Sequence, residues 1–398
     1  MSRAFVIVID SVGIGGAPDA DRFFNGATPD TGANTVGHIA EVCARLPRGP
    51  LRVPTLDALG LGRAVKLASG LDAPGLDAVP TGAWGAATEV SPGKDTPSGH
   101  WELAGVPVPW DWTYFPDTDP ALPDDLTAAI CDAAGTDGIL GNRHASGTQV
   151  IEDEGPRHIE TGWPIVYTSA DSVLQIAAHE DHFGLDRLLK LCEDLAPRVH
   201  AMKVGRVIAR PFLGTAEEGF KRTPNRRDFA IAPPSPTICD DVHAAGHAVH
   251  AVGKIGDIFS MRGITDVRKG ADARLMDHVH DLATEAEEGS FVFANLVEFD
   301  SEYGHRRDPE GYAAHLEWFD AELARLLPVL RADDLLIVTA DHGNDPTWVG
   351  TDHTRERVPV LIHGRGARAL GQIAFQDVAA TIAAHLDIPH SGKGTPVT

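Results

Sequence analysis

Short apolar runs recur along the chain: Ala4–Ile9, Ile165–Thr168, Val204–Ala209, Ala248–Val252, Phe291–Leu296, Leu335–Thr339 and Val358–Ile362. Between many of them lie stretches with helical periodicity, among them Ala271–Glu287, Gly311–Leu330 and Phe375–Leu386. Strands that are apolar on both faces and alternate with helices fit a mostly parallel sheet covered on both sides. The expected fold class is therefore α/β. At 398 residues the chain is too long for one ordinary core and suits two domains. An acidic, proline-rich stretch, "YFPDTDPALPDD", and a basic one, "KRTPNRRD", bracket a segment with strands and helices of its own. That pattern predicts a second domain, residues 112–227, inserted into a core built from 1–111 and 228–398. The alternative is one large domain with long loops.

In an open parallel sheet, ligands bind beyond the carboxyl ends of the strands. Three carboxylates stand where apolar runs stop: Asp10 ends "FVIVID", Asp300 ends "FVFANLVEFD" and Asp341 ends "LLIVTAD". His305 follows Asp300 in "DSEYGHRRD", and the pair Asp341-His342 returns as Asp352-His353. Each residue alone reads as a turn former, a helix cap or a satisfied histidine. Together, Asp10, Asp300, Asp341, His305, His342 and His353 exceed what one ion with an open position takes. They suit two divalent ions sharing a site, a recurring arrangement for in-line phosphoryl displacement. Oxygen and nitrogen donors without thiolate point to manganese, magnesium or zinc, and the carboxylate share favours manganese.

Such a site needs a nucleophile, and "SPGKDTPSGHWELAG" offers Thr96. Proline at the first helical position with threonine before it predicts a helix from Pro97 to about Ala104, capped by Thr96. Free N–H groups and the dipole at that end favour an anion. Metal coordination would make the threonine alkoxide accessible. The plain alternative is capping alone.

The formal net charge of −23 excludes nucleic acid and acidic membranes as expected partners. It would also repel a phosphate-bearing substrate unless metals and local arginines reverse the sign inside the site. Cys43, Cys131, Cys192 and Cys239 show no metal-like spacing and read as reduced thiols. The apolar start of "MSRAFVIVIDSVG" is too short for a signal peptide or a membrane span, so a cytoplasmic location is expected.

The blocks "VIDSVGIGGAPDA", "GANTVGHIA", "YTSADSVLQIAAHE", "GRVIARPF", "RTPNRRDFA", "GHRRD" and "TADHGNDPTW" carry a resemblance spread over most of the length. The chain resembles the phosphopentomutases of the prokaryotic, alkaline-phosphatase-like type. The resemblance implies an alkaline-phosphatase-like core with an inserted α+β cap. It implies interconversion of ribose 1-phosphate and ribose 5-phosphate, and of the 2-deoxyribose pair. A phosphothreonine and a pentose bisphosphate would be the intermediates, and a sugar bisphosphate the primer. Asp10, Asp341 and His342 match one metal site beside Thr96, and Asp300, His305 and His353 match the other. Ser169 and Asp171 match ribose-contacting positions. Arg206, Arg210, Arg222 and Lys254 supply charge suited to phosphate oxygens, with solvated surface as the alternative. Glu298 stands where the family pattern has aspartate, and Pro97-Ser98 where it has two threonines. Rival readings are a metal-dependent phosphatase, a phosphoglycerate mutase, or a sugar-phosphate-binding relative without catalysis. No ligand or nucleophile is missing, and threonine at position 96 argues against the second.

Overall fold

The computed structural model describes residues 2–169 and 171–398. Ala170, inside the "TSADS" block, lies outside the described residues. The chain forms two compact units, Met1–Pro109 with Pro233–Thr398, and Trp110–Ala232.

The first unit is built on an eight-stranded sheet. Its order runs Asp266–Arg268, Val249–Val252, Phe291–Leu296, Ala4–Ile9, Leu335–Thr339, Val358–His363, Ala83–Thr88, Arg368–Ala374. All neighbours are parallel except Val358–His363, which is antiparallel to both of its own. The sheet is therefore mixed and mostly parallel. Every residue of Ala4–Ile9, Phe291–Leu296 and Leu335–Thr339 is buried, as continuous apolar runs covered on both faces require. Ile9 pairs with Leu296 and Val8 with Thr339, so the three central strands end nearly in step. The polar residues that follow them consequently emerge at one sheet edge.

The helices Asp272–Glu285, Pro309–Leu326 and Asp377–Leu386 occupy the stretches with helical periodicity. The second starts earlier than its apolar pattern, because Pro309 takes the first turn and Asp308 accepts a cap bond from Gly311 N. The strands Ala83–Thr88 and Arg368–Ala374 have no counterpart among the apolar runs. Alanine- and glycine-containing, each carries a single β-branched residue, Thr88 or Ile373, and they lie at or beside the sheet edge.

The second unit holds a sheet ordered Arg227–Ala230, Arg206–Thr215, Val173–His179, Ile165–Thr168, Leu140–His144, with Gly219–Arg222 pairing on Arg206–Thr215. Parallel and antiparallel neighbours alternate along it. One apolar cluster joins this sheet to the helices Asp124–Ala134 and Leu185–Ala201, and a second joins it to Gly147–Thr161. Among the described residues no helix is long and apolar enough to cross a membrane.

Arg3 anchors the start of the central strand. It is fully buried, donates to both Asp334 oxygens at 3.0 and 2.6 Å, and reaches the Ala283 and Ala286 carbonyls at the end of Asp272–Glu285. A cation suits that helix end. Arg3→Ala would leave Asp334 buried and uncompensated and should cost about 3–5 kcal/mol. Chemical denaturation measures this; a loss below about 1 kcal/mol would contradict it.

Candidate metal centre

Asp10, Asp300 and Asp341 are 1%, 6% and 0% exposed at the edge where the central strands end. Asp10 accepts a hydrogen bond from Asn295 Nδ2 on Oδ2 at 2.8 Å, while its buried Oδ1 accepts none. Asp341 accepts the Ser11 amide on Oδ1 at 3.1 Å. Ser11 reaches it with a φ of 66°, a left-handed conformation that serine rarely adopts. Asn344 donates to Asp300 Oδ1 at 2.7 Å.

The imidazoles meet the remaining oxygens. His342 Nε2 lies 3.5 Å from Asp10 Oδ1 and 3.3 Å from Asp341 Oδ2. His305 Nε2 and His353 Nε2 stand 3.0 and 3.5 Å from Asp300 Oδ2. The five-residue spacing of Asp300 and His305 is set by a π-helical turn, Phe299–Gly304, closed by His305 N donating to Asp300 O. The return of Asp-His after Asp341-His342 is a chain reversal. Gly343 and Thr354 exchange antiparallel backbone bonds of 3.2 and 2.8 Å, which brings the His342 and His353 rings to 4.1 Å.

The second nitrogens are fixed too. His342 Nδ1 donates to Gly343 O at 3.1 Å and His305 Nδ1 to Thr351 O at 2.6 Å. A carbonyl only accepts, so Nε2 is left as the atom able to ligate a cation in both. Asp10, Asp341 and His342 offer donor atoms within 4.8 Å of one another, and so do Asp300, His342 and His353. His342 thus belongs to both groups, and His305 joins the second through Asp300. The unpartnered Asp10 oxygen, the buried carboxylates and the oriented imidazoles all fit divalent cations.

The electrostatics agree. Burial, and then the charges of Asp341 and Asp300, push Asp10 well above the usual carboxylate range. Burial also raises Asp300, but His353 and the bond with His305 outweigh it and hold Asp300 well below that range. Burial pushes His342 down to about 4, so it stays neutral and able to ligate. For His305, burial is outweighed by the bond and charge of Asp300, and its pKa is raised.

Thr96 is the first residue of the helix Thr96–Leu103, not its cap. Asp95 caps it, accepting the Ser98 amide at 3.0 Å, and Pro97 stands second. With the capping bond made by Asp95, the threonine hydroxyl is released from that role. Thr96 Oγ1 lies 3.4 Å from His342 Nε2. The expected set of free amides is reduced: Pro97 has no N–H, and the Ser98 and Gly99 amides go to Asp95. The helix rests directly on the backbone of Asp341. A Cβ on Gly99 would lie 2.0 Å from Asp341 O. His100, one turn after Thr96, donates from Nδ1 to Thr96 O at 2.9 Å and stands 3.0 Å from Asp341 Oδ2. Ser11, His100, Asn295 and Asn344 are not singled out by the sequence, and no local pattern marks them.

Of the cationic candidates, Lys254 precedes the short helix Ile255–Ile258, and its charge lowers the pKa of Asp10. The others lie in the second unit. Ser169 is half-buried after Ile165–Thr168, and Asp171 is exposed. Arg206 lies 3.5 Å from Asp228, and Arg210 donates twice to Gln175 Oε1, at 3.1 and 2.9 Å. Burial, then the charges of Arg226 and Arg222, lower the pKa of Arg210. Arg222, at the end of Gly219–Arg222, also acts on Tyr167.

A family profile described as Metalloenzyme superfamily matches residues 2–390. The chain is 55% identical over 407 residues to a phosphopentomutase of Methylorubrum extorquens, with 99% of each chain covered. It is 55% identical over 406 residues to a phosphopentomutase of a Chelativorans species, covering 99% of this chain and 98% of that one. Among solved structures it is similar to a Leishmania mexicana phosphoglycerate mutase at low cobalt concentration. That likeness has 14% identity and a TM-score of 0.47, over 98% of this chain and 97% of the other.

Two outcomes follow from the geometry. A methyl group at Gly99 must displace backbone, so Gly99→Ala should cost about 1–3 kcal/mol and shift Thr96 away from His342. Turnover should fall while the chain stays folded; wild-type turnover in Gly99→Ala would contradict the close packing. Protons compete with cations at His305, whose pKa is raised above the usual 6.5. Metal affinity should therefore begin to weaken at a higher pH than an ordinary imidazole, with its usual 6.5, would allow, measured by equilibrium titration. Affinity that stays constant as pH falls to 6.5 would remove His305 from the ligand set.

Proposed function

Because the chain belongs to the phosphopentomutase family of the Metalloenzyme superfamily, and is thereby a phosphotransferase-type isomerase, we propose that it interconverts ribose 1-phosphate and ribose 5-phosphate, and the 2-deoxyribose pair. The route proposed is a phosphorylated Thr96 and a pentose bisphosphate. The observation that carries it is the Thr96 hydroxyl, relieved of capping by Asp95 and 3.4 Å from His342 Nε2.

In this reading Asp10, Asp341 and His342 hold one divalent ion, and Asp300, His305 and His353 hold another, with manganese favoured by the donor set. When bound, such ions supply Lewis-acid stabilisation of the phosphoryl oxygens. Thr96 carries a phosphoryl group, placed there first by a sugar bisphosphate. The free C1 or C5 hydroxyl of a pentose monophosphate attacks that phosphorus in line. The bond to Thr96 Oγ1 breaks as the sugar–phosphate bond forms. The bisphosphate then turns over, and Thr96 Oγ1 attacks its other phosphorus, releasing the isomer. His100 holds the Thr96 carbonyl, keeping the attacking oxygen in place. Ser169 and Asp171 contact the sugar, and Arg206, Arg210, Arg222 and Lys254 contact its phosphates.

Incubation with ribose 1-phosphate and manganese should give ribose 5-phosphate. Free phosphate as the main product would make the chain a phosphatase instead. Thr96→Ala leaves all six ligands and the Asp95 cap in place, so it should stay folded and metal-loaded while turnover drops by several orders of magnitude. Thr96→Ser should keep part of the rate. Mass spectrometry after exposure to a sugar bisphosphate should find one phosphate on the Thr96 peptide. A phosphate elsewhere, or near-normal turnover in Thr96→Ala, rejects the shuttle.

A further inference from the structure

Asp272, Glu298 and His315 form another cluster of ligand-type side chains, apart from the six residues around Thr96. Asp272 opens the helix Asp272–Glu285, Glu298 lies just beyond Phe291–Leu296, and His315 sits in Pro309–Leu326. Their donor atoms lie within 4.8 Å of one another. His315 Nε2 is 3.0 Å from Asp272 Oδ2 and 3.9 Å from Glu298 Oε2. Nitrogen and oxygen donors at about 2.0–2.2 Å from a tetrahedral cation stand roughly 3–3.6 Å apart. The cluster needs only a small adjustment at Glu298 to meet that spacing.

A second observation points the same way. Asp272 is 0% exposed, and its Oδ1 accepts no hydrogen bond, while Oδ2 takes the Glu298 amide at 3.2 Å. A buried carboxylate oxygen left without a partner is a destabilising arrangement that a cation would relieve. The His315 ring is held in place by stacking on Trp318 at 4.7 Å and by Phe299 at 4.4 Å, with Nε2 toward both carboxylates. The side chain of Glu298 is 30% exposed, which leaves a path from solvent.

We propose that Asp272, Glu298 and His315 bind an additional first-row divalent cation of the zinc class, separate from the ions beside Thr96. That ion ties two helices to the segment leading into Asp300. Glu298 already stands 3.9 Å from His315, and aspartate at that position, one methylene shorter, would fall shorter still, so the site depends on the glutamate.

The test uses the full chain dialysed against zinc, with metal per chain measured by plasma mass spectrometry. Glu298→Asp and His315→Gln should each hold one zinc fewer than wild type, with circular dichroism unchanged. Asp341→Asn, which touches only the ions beside Thr96, should keep this one. Anomalous diffraction from wild-type crystals at the zinc edge should place a peak within bonding distance of His315 Nε2, and it decides the matter if a variant does not fold. Equal zinc in wild type and both folded variants, or no peak at His315, would overturn the proposal and leave a simple His315–Asp272 ion pair.

Discussion

Three carboxylates are buried together where the central strands end, and the neighbouring chain is arranged around that charge. Each has one oxygen held by an N–H donor and the other turned toward imidazole. Asp10 is held by Asn295, Asp341 by the Ser11 amide and Asp300 by Asn344. The opposite oxygens face His342, or His305 and His353. At Asp300 the charges of His353 and His305 outweigh the desolvation penalty, whereas at Asp10 the neutral Asn295 orients the carboxylate without cancelling its charge and the penalty stays until a cation arrives. The upward pKa of Asp10 expresses that penalty. Ser11, whose amide donates to Asp341, holds a left-handed conformation rare for serine, a local strain stored beside the site.

The convergence of the candidate ligands was legible because they follow strands, and strands of continuous apolar residues are easy to read. Ile9, Leu296 and Thr339 end nearly in step, so Asp10 and Asp341 had to converge. His353 was legible as a repeated dipeptide, though the reversal through Gly343 and Thr354 that explains it was not. The residues that orient the ligands left no trace in the sequence. Asn295 and Asn344 sit in ordinary strand and loop contexts, and their roles depend on partners far away along the chain. The shift of the cap from Thr96 to Asp95 has a local cause. Aspartate and threonine are both good caps, and proline is accepted at the first or second helical position. Only the geometry of Asp95 against Ser98 decides between them. That one-residue shift matters chemically, since a capping hydroxyl would be occupied and this one is not.

An acidic chain that handles phosphate must keep some of its cations from being neutralised by its own carboxylates. Many are neutralised. Lys94 lies 3.1 Å from Asp30 and 3.2 Å from Asp352, and Arg355 pairs with Asp19 and Glu89. Those pairs brace the loop between Asp341 and Glu356 against the rest of the first unit. In the second unit Asp228 takes two bonds from Arg226 and lies beside Arg206. Arg210 is different. Its bonds go to a neutral amide, and burial together with Arg226 and Arg222 disfavours its charge. A half-buried guanidinium repelled by its neighbours is the mirror image of Asp10, a buried carboxylate repelled by Asp341 and Asp300. The carboxylates around Asp10 concentrate negative charge in the first unit, and the guanidinium groups around Arg210 concentrate positive charge locally in a second unit that is otherwise acidic. Each concentration weakens the unliganded protein, and only binding of the complementary ion offsets that loss.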